Sequence, residues 1–178
     1  MHTAVLSFWF EEIEERLWFA TDSAFDALIR QRFEGVMKQA AAGELWAWRA
    51  TAPGRLAEVI VLDQFSRNVY RQTPQAFAQD PMALALAQEA VAAGALQALG
   101  ERQRNFLLLP YMHSESAAIH AVAEPLFKAH ASASNHDFEL RHKAIVDRFG
   151  RYPHRNHILG RTSTPEEEVF LTQPGSGF

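Results

Sequence analysis

Signals for helix starts recur along the chain, each followed by apolar residues three or four positions apart. In the clearest case Thr21, Asp22 and Ser23 offer N-caps, and Gly43 offers a stop. The apolar positions between them keep the helical period, at Phe25, Ile29, Phe33, Val36 and Ala40. The pattern predicts an amphipathic helix whose apolar face packs against other elements.

A second apolar stripe contains an acid. Pro53 suits a first helical turn, and Leu56, Val59 and Ile60 then share a face with Asp63. The run VIVL is also typical of a short buried strand, but the helical period and the preceding proline favour a helix. We therefore expect Asp63 on the buried face, where a carboxylate needs a charged or hydrogen-bonding partner.

Further boundaries mark the middle of the chain. Asp80 reads as an N-cap, with Pro81 at the first position of an alanine-rich helix that stops at Gly94. Residues 101–109 predict another helix, and the stretch LPYMHSE is expected to turn the chain. Ser114 then caps a helix that runs toward residue 130 and is kinked at Pro125.

Two more helices follow. Asn135 is the expected cap of one of them, whose shared face carries Phe138, His142, Ile145 and Phe149. Thr164, Pro165 and Glu167 form a capping box with proline at the first position of the last helix. About seven helices and no alternating strand pattern predict one all-α domain over residues 1–178, with antiparallel neighbours and a loose tail at 172–178.

Composition narrows the function classes. Cysteine is absent, which excludes disulfides and thiolate metal sites and fits a reducing, cytoplasmic compartment. The amino-terminal stretch lacks the features of a signal peptide, and no run approaches the ~20 apolar residues of a membrane span. A formal net charge of -4 argues against a nucleic-acid-binding surface over the whole protein, although one local basic patch is present.

That patch is residues 148–161, here called the basic segment. It carries Arg148, Arg151, Arg155 and Arg161 and only neutral or basic residues around them. Two guanidiniums about 6 Å apart repel by roughly 3 kcal/mol at an effective dielectric near 20, so the arginines need acids or must diverge. The segment is either an interhelical latch or an anion site, and the candidate acids are Asp63, Glu115, Asp147, Glu166, Glu167 and Glu168.

Asp63 has its own local candidates. Arg67 lies four residues further on, and Asn68 and Arg71 follow as the helix ends. An exposed i,i+4 pair contributes only about 0.3–0.5 kcal/mol, which gives no reason to place Asp63 on the core face. We therefore expect a buried partner as well, in a structural clamp or in a ligand site.

The histidines give weaker signals. His113 and Glu115 stand near a predicted helix start, while His142 lies on an apolar face, as a hydrogen-bonded core histidine does. No metal-ligand spacing links these residues with Asp63, so we expect neither a metal nor a cofactor.

Four blocks carry a resemblance to a known family. They are FWF at residues 8–10 with WF at 18–19, LDQFSRNVYR at 62–71, LPYMHSE at 109–115 and RFGRYPHRNHILGRTSTPEE at 148–167. Over nearly its whole length the chain resembles the bacterial family named domain of unknown function 924. The resemblance implies a right-handed, tetratricopeptide-like superhelix and implies no activity. Ser66 and the pair Ile119 and His120 depart from the family pattern.

Our sequence hypothesis is a cleft for a small phosphate- or carboxylate-bearing ligand. Arg151, Arg155 and Arg161 would grip the anion, with His113 or His154 as proton carrier if a reaction occurs. The full set of expected ligand-binding residues is Asp63, Arg67, Asn68, Arg71, His113, Glu115, His142, Arg151, His154, Arg155, Asn156 and Arg161. The alternative is a peptide- or protein-interaction module in which the basic segment is only a latch.

Overall fold

The N-cap of the longest helix lies where the sequence predicts it. In a computed structural model that describes residues 1–177, the carboxylate of Asp22 accepts hydrogen bonds from the backbone N–H groups of Ala24 and Phe25, at 2.9 and 3.0 Å. All the predicted apolar positions of this helix are buried. Gly43, with φ +72°, follows its last turn in a left-handed conformation that suits glycine.

The chain is all-α, and residues 1–177 contain no strand. Its helices are α1 (His2–Ser7), α2 (Ser23–Ala41), α3 (Ala52–Ile60), α4 (Ser66–Val69), α5 (Asp80–Ala92), α6 (Ala95–Ala98), α7 (Glu101–Met112), α8 (Ala117–His130), α9 (Ala133–Phe149) and α10 (Pro165–Leu171). Among these residues, none of the helices has the length and apolarity needed to cross a membrane.

The helix through Asp63 is continuous across three elements. Thr51 caps α3, and a π-helical stretch, Val61–Phe65, links α3 to α4. The run VIVL is therefore helical. The wider π turn carries Asp63 on a fully buried stretch, next to the core residues Leu62 and Phe65. Single π turns inside helices are frequent at functional sites.

Several predicted boundaries are wrong by a few residues. Asp80 is the first residue of α5 and makes no cap; its carboxylate is bound by arginines instead. Helix α7 continues through Pro110 to Met112, because residues 106–112 are all buried and their packing outweighs the lost backbone bond. Ser116 rather than Ser114 precedes α8.

Helix α9 also starts earlier than predicted. Ser132 caps it by accepting from the N–H of Asn135, which is therefore not the cap. Phe138 is 46% exposed and lies off the buried face that holds His142 and Ile145. Pro125 lies inside α8. The capping box of Thr164 and Glu167 is present at α10.

The main core surrounds α3, which packs against α1, α5 and α7. Phe8, Trp9 and Phe65 are among its largest fully buried side chains. A smaller apolar cluster of Ile145, Val146 and Tyr152 joins the end of α9 to the basic segment. Helix α8 packs against both α7 and α9, so the turn between α7 and α8 faces the basic segment.

The single domain and the loose tail at 172–178 stay predictions, and Phe178 lies outside the described residues.

Replacing Asp22 by Ala removes the two capping bonds of α2. We expect a loss of about 1 kcal/mol in the free energy of unfolding, measured by urea denaturation. Ser23→Ala, one residue further on and exposed, is the control and should change the value by less than about 0.5 kcal/mol. Equal losses in both variants would contradict the assignment of Asp22 as the cap.

Candidate functional site

Asp63 is the most buried acid of the predicted site, with 1% of its side chain exposed. Its Oδ1 lies 2.8 Å from Nδ1 of His113 and 3.0 Å from Nη1 of Arg67. The side-chain amide of Gln64 donates to Oδ2 at 2.6 Å. Burial alone would raise the pKa of Asp63, but Arg67 and His113 outweigh it and hold that pKa well below its usual value. The carboxylate is therefore ionised, and it is satisfied by two neighbours from its own helix and one from the turn after α7.

Arg67 links Asp63 to a second acid. Its Nη1 and Nη2 donate to the two carboxylate oxygens of Asp80 at 2.8 and 2.9 Å, a bidentate pair. Nη1 also donates to the backbone carbonyl of Asp63 at 3.0 Å. Asp80 is absent from the predicted site, because an aspartate directly before a proline is the usual signal of a helix start.

Arg155 reaches the same acid from the basic segment. Its Nη1 donates to Asp80 at 3.3 Å, and its Nη2 donates to the backbone carbonyl of His113 at 3.0 Å. The centre of the guanidinium lies 4.6 Å from the ring of Phe77 and 4.7 Å from that of Tyr152. Its buried Nε has no acceptor among residues 1–177. Burial, and next the charge of Arg67, lower the pKa of Arg155.

An open cavity of about 390 Å³ lies against this cluster. Here it is called the cleft, and it is lined by Pro74, Phe77, Ala78, Asp80, Pro81, Leu84, Pro110, His113, Ser114, Glu115, Arg155 and Leu159. Three predicted residues, His113, Glu115 and Arg155, therefore border it. Asp63 lies behind His113, and Arg67 lies behind Asp80. Most of the remaining wall is apolar.

His113 is fixed by its bond to Asp63. Since Asp63 is ionised, Nδ1 of His113 carries the hydrogen and donates it. Burial, and next the charge of Arg67, lower the pKa of His113, so the imidazole is neutral near pH 7. No residue of the described chain bonds its Nε2, which is left as an acceptor.

Glu115, two residues after His113, also borders the cleft. Arg161 donates to both of its oxygens, at 2.7 and 2.9 Å, and the backbone N–H of Tyr152 donates to Oε1 at 2.6 Å. Burial would raise the pKa of Glu115, but the bonds from Arg161 and Tyr152 outweigh it and lower that pKa. Arg161 thus neutralises an acid and ties the basic segment to the turn after α7.

Each arginine of the basic segment pairs with an acid from another element. Arg151 donates to both oxygens of Glu167 at 2.6 and 2.7 Å, and Arg148 donates to Glu166 at 2.8 and 3.0 Å. The other two pairs are Arg155 with Asp80 and Arg161 with Glu115. These four ion pairs tie the basic segment to α5, to α10 and to the turn after α7. Of the acids expected as partners, Asp63 pairs with Arg67 and Asp147 pairs with Lys143.

Three further residues of the predicted site, Asn68, Arg71 and Asn156, lie away from the cleft. Arg71 donates to both oxygens of Asp26 in α2 at 2.8 and 2.9 Å, and the amide of Asn68 donates to the same acid at 2.8 Å. Asn156 is buried and donates to Ser163 at 3.0 Å and to Glu167 at 3.4 Å. The first two residues tie α4 to α2, and the third supports the contact with α10. The structure does not bring these residues to the cleft.

His142 and His154 lie beside the Tyr152 ring, each with ring centroids 5.6 Å apart from it. Nδ1 of His142 donates to the backbone carbonyl of Phe138 at 2.7 Å. Burial lowers the pKa of His142 to about 3 and that of His154 to about 4, so both are neutral near pH 7. They support Tyr152, which in turn packs on Arg155.

The sequence interpretation missed a buried pair behind Tyr152. Nδ1 of His120 lies 2.7 Å from Oε1 of Glu139, and both side chains are fully buried. Nε2 of His120 donates to the backbone carbonyl of Ser114 at 2.9 Å and lies 3.1 Å from the Tyr152 hydroxyl. Burial raises the pKa of Glu139. The only available signal was the departure from the family pattern at residue 120.

The comparisons with known proteins agree with this architecture. A family model described as "Bacterial protein of unknown function (DUF924)" matches residues 5–175. The solved structure of a protein of unknown function, ATU0120 from Agrobacterium tumefaciens, is 38% identical in sequence with a TM-score of 0.91, and the match covers 96% of each chain. None of the curated proteins matches the chain.

The Arg151–Glu167 pair predicts a pH dependence. The hydrogen bond from Arg151 is the main cause that lowers the pKa of Glu167, to about 2. The stabilisation is therefore complete above the ordinary glutamate value of 4.5 and is lost as the pH falls toward 2. In Glu167→Gln, the free energy of unfolding should fall less between about pH 5 and about pH 2.5 than in the wild type. The measurement is urea denaturation at both pH values.

The neighbouring exposed acid supplies the control. Glu168→Gln should keep the wild-type slope of stability against pH, because this side chain is exposed. A wild-type slope in Glu167→Gln would contradict the role of this pair.

Proposed function

The chain belongs to the bacterial family of unknown function DUF924, and we propose that it binds one small organic anion in the cleft, at the edge of Arg155. The observation that carries the proposal is the unfilled donor set of this buried guanidinium. An arginine has five N–H donors, and Arg155 gives one hydrogen bond to Asp80 and one to the backbone of His113. A ligand carboxylate can accept from the donors that remain.

The position of Arg155 is set before a ligand arrives. The guanidinium packs on the rings of Phe77 and Tyr152, and 8% of its side chain is exposed. A donor held in this way loses little freedom on binding, which favours affinity. Arg151 and Arg161, which the sequence hypothesis also assigned to the ligand, act instead through Glu167 and Glu115, so the proposal places one arginine at the anion.

The charges around the cleft limit the net charge that a ligand can carry. Asp63 and Asp80 balance Arg67 and Arg155, and Glu115 balances Arg161. With His113 neutral, the cluster has no surplus positive charge. A singly charged ligand with an apolar part therefore fits better than a multiply charged phosphate, because the remaining wall is formed by side chains such as Leu84 and Leu159.

Two further features belong to the proposal. We place the helices in a tetratricopeptide-like, right-handed superhelix, as the family resemblance implies, and the protein in the cytoplasm, as the absence of cysteine favours.

An interaction module is the second candidate. It is favoured by the latch, since every arginine of the basic segment has an acidic partner within the chain. In that case a peptide or protein partner would bind the helical surface, and the cleft would bind no small anion. Fold similarity is its only further support, and that support is weak.

Binding of butyrate, benzoate and inorganic phosphate tests the two candidates. We expect saturable binding of at least one carboxylate by isothermal titration calorimetry, stronger than that of phosphate. Arg155→Lys keeps the charge but loses the planar fork, and should weaken binding about 10- to 100-fold, since a charged hydrogen bond contributes about 1.5–3 kcal/mol.

Arg148→Lys, an exposed position in the same segment, is the matched control and should bind like the wild type. Absence of saturable binding of all three probes by the wild type would overturn the ligand proposal. Equal effects of the two substitutions would remove Arg155 from the binding site.

A further inference from the structure

The geometry points to a catalytic use of the cleft: His113, oriented by Asp63, is a general base for the hydrolysis of a small carboxylic ester by water. This inference rests on the proposed function, because the carboxylate that such a reaction releases is the anion expected at Arg155. It adds a reaction and a substrate class to a binding site.

The first support is the arrangement of the Asp63–His113 dyad. The carboxylate fixes the ring through Nδ1 at 2.8 Å, and this leaves Nε2 as the proton acceptor on a side chain that lines the cleft. Asp63 cannot rotate freely, because Arg67 and Gln64 hold it as well. A base that is oriented by a buried carboxylate is the arrangement used by activated hydrolytic sites.

The charges around His113 suit a base that is neutral at rest. Asp63 bonds its ring directly, and Arg67 and Asp80 lie behind and beside it on α4 and α5. Glu115 and Arg155 share the cleft wall with it, and His142 and His154 lie in the same cluster. When Nε2 takes a proton, the new imidazolium sits against the ionised Asp63, which stabilises it.

The second support is an oxyanion partner next to the base. Nη2 of Arg155 donates to the backbone carbonyl of His113 at 3.0 Å, so the guanidinium lies beside the backbone of this residue, and both residues line the cleft. The unfilled donors of Arg155 can stabilise the negative charge that develops on a carbonyl oxygen under attack. The apolar wall, which includes Phe77, Leu84 and Leu159, suits an alkyl or aryl group.

The reaction balances without a cofactor. The oxygen of water bonds to the acyl carbon, one water proton moves to Nε2 of His113, and the carbonyl oxygen becomes an oxyanion beside Arg155. The oxyanion then reforms the carbonyl while the bond to the alcohol oxygen breaks, and that oxygen takes the proton from His113. The products are the alcohol and the carboxylic acid, which loses its proton to solvent near neutral pH. No atom is oxidised or reduced.

The test is the release of p-nitrophenolate from p-nitrophenyl acetate and p-nitrophenyl butyrate by the full chain. We expect the wild type to exceed His113→Gln by at least about 100-fold in kcat, the lower range for a general base. The wild-type rate should fall on acidification, as Nε2 becomes protonated. His157→Gln, an exposed histidine close in sequence to Arg155, is the matched control and should keep the wild-type rate.

Asp63 is tested as a positioning residue. Asp63→Asn should lower kcat while leaving KM within about 3-fold, because Asp63 does not line the cleft. It should also change the dependence of kcat on pH. The folded fraction of each variant is measured by circular dichroism, and at equal folded fraction a purely structural role would leave this pH dependence unchanged. If this variant does not fold, the comparison of the wild type with His113→Gln alone tests the catalytic inference.

The outcomes separate the two proposals. Ester hydrolysis by the wild type no faster than by His113→Gln would overturn the catalytic inference, even if butyrate binds and the binding proposal stands. Failure of all anions to bind, together with an intact difference between wild type and His113→Gln, would overturn the binding proposal and leave the dyad as the catalytic group.

Discussion

The chain of charges Arg155–Asp80–Arg67–Asp63, buried at both ends and partly buried at Asp80 and Arg67, is the interaction on which the rest of the structure depends. It joins the basic segment after α9, the start of α5, the helix α4 and the π turn that follows α3. His113 extends it to the turn after α7. Removing ions from water is costly, and each member is tolerated because the next one compensates its charge. The cluster therefore holds together segments that are up to 92 residues apart in the chain, counted from Asp63 to Arg155.

This constraint also shapes the cleft. Acids of the chain hold the guanidiniums of the basic segment, which a simple anion site would use. What remains at the wall is one incompletely bonded guanidinium, one neutral imidazole with a free acceptor, and apolar surface. The proposed binding of a singly charged organic ligand and the proposed proton transfer to His113 both rest on this arrangement.

The helices could be predicted because their signals are local. The cap of α2 and its buried stripe lie within a single stretch of sequence, and so does the capping box of α10. The burial of Asp63 followed from its phase with Leu56, Val59 and Ile60. The predicted helix boundaries were wrong where packing overrides a local rule, as at Pro110 inside α7.

The pairing of charges could not be predicted in the same way. The partner of an arginine depends on which helices pack together, and Arg71 bonds an acid 45 residues away in α2. Asp80 carries a strong local signal for a helix start, which concealed its role between two arginines. The basic segment was recognised from its composition, but only the fold separates Arg155 at the cleft from Arg151 at α10.

The free energy of unfolding of Asp80→Asn tests the central claim most directly. Removing the acid takes the shared partner from Arg67, which is partly buried, and from Arg155, which is buried. We expect a loss of about 1.5–3 kcal/mol in urea denaturation, the range for a hydrogen bond to a charged group. Asp147→Asn, which breaks the exposed pair with Lys143, should cost less than about 0.5 kcal/mol. Losses of equal size in the two variants would contradict the account.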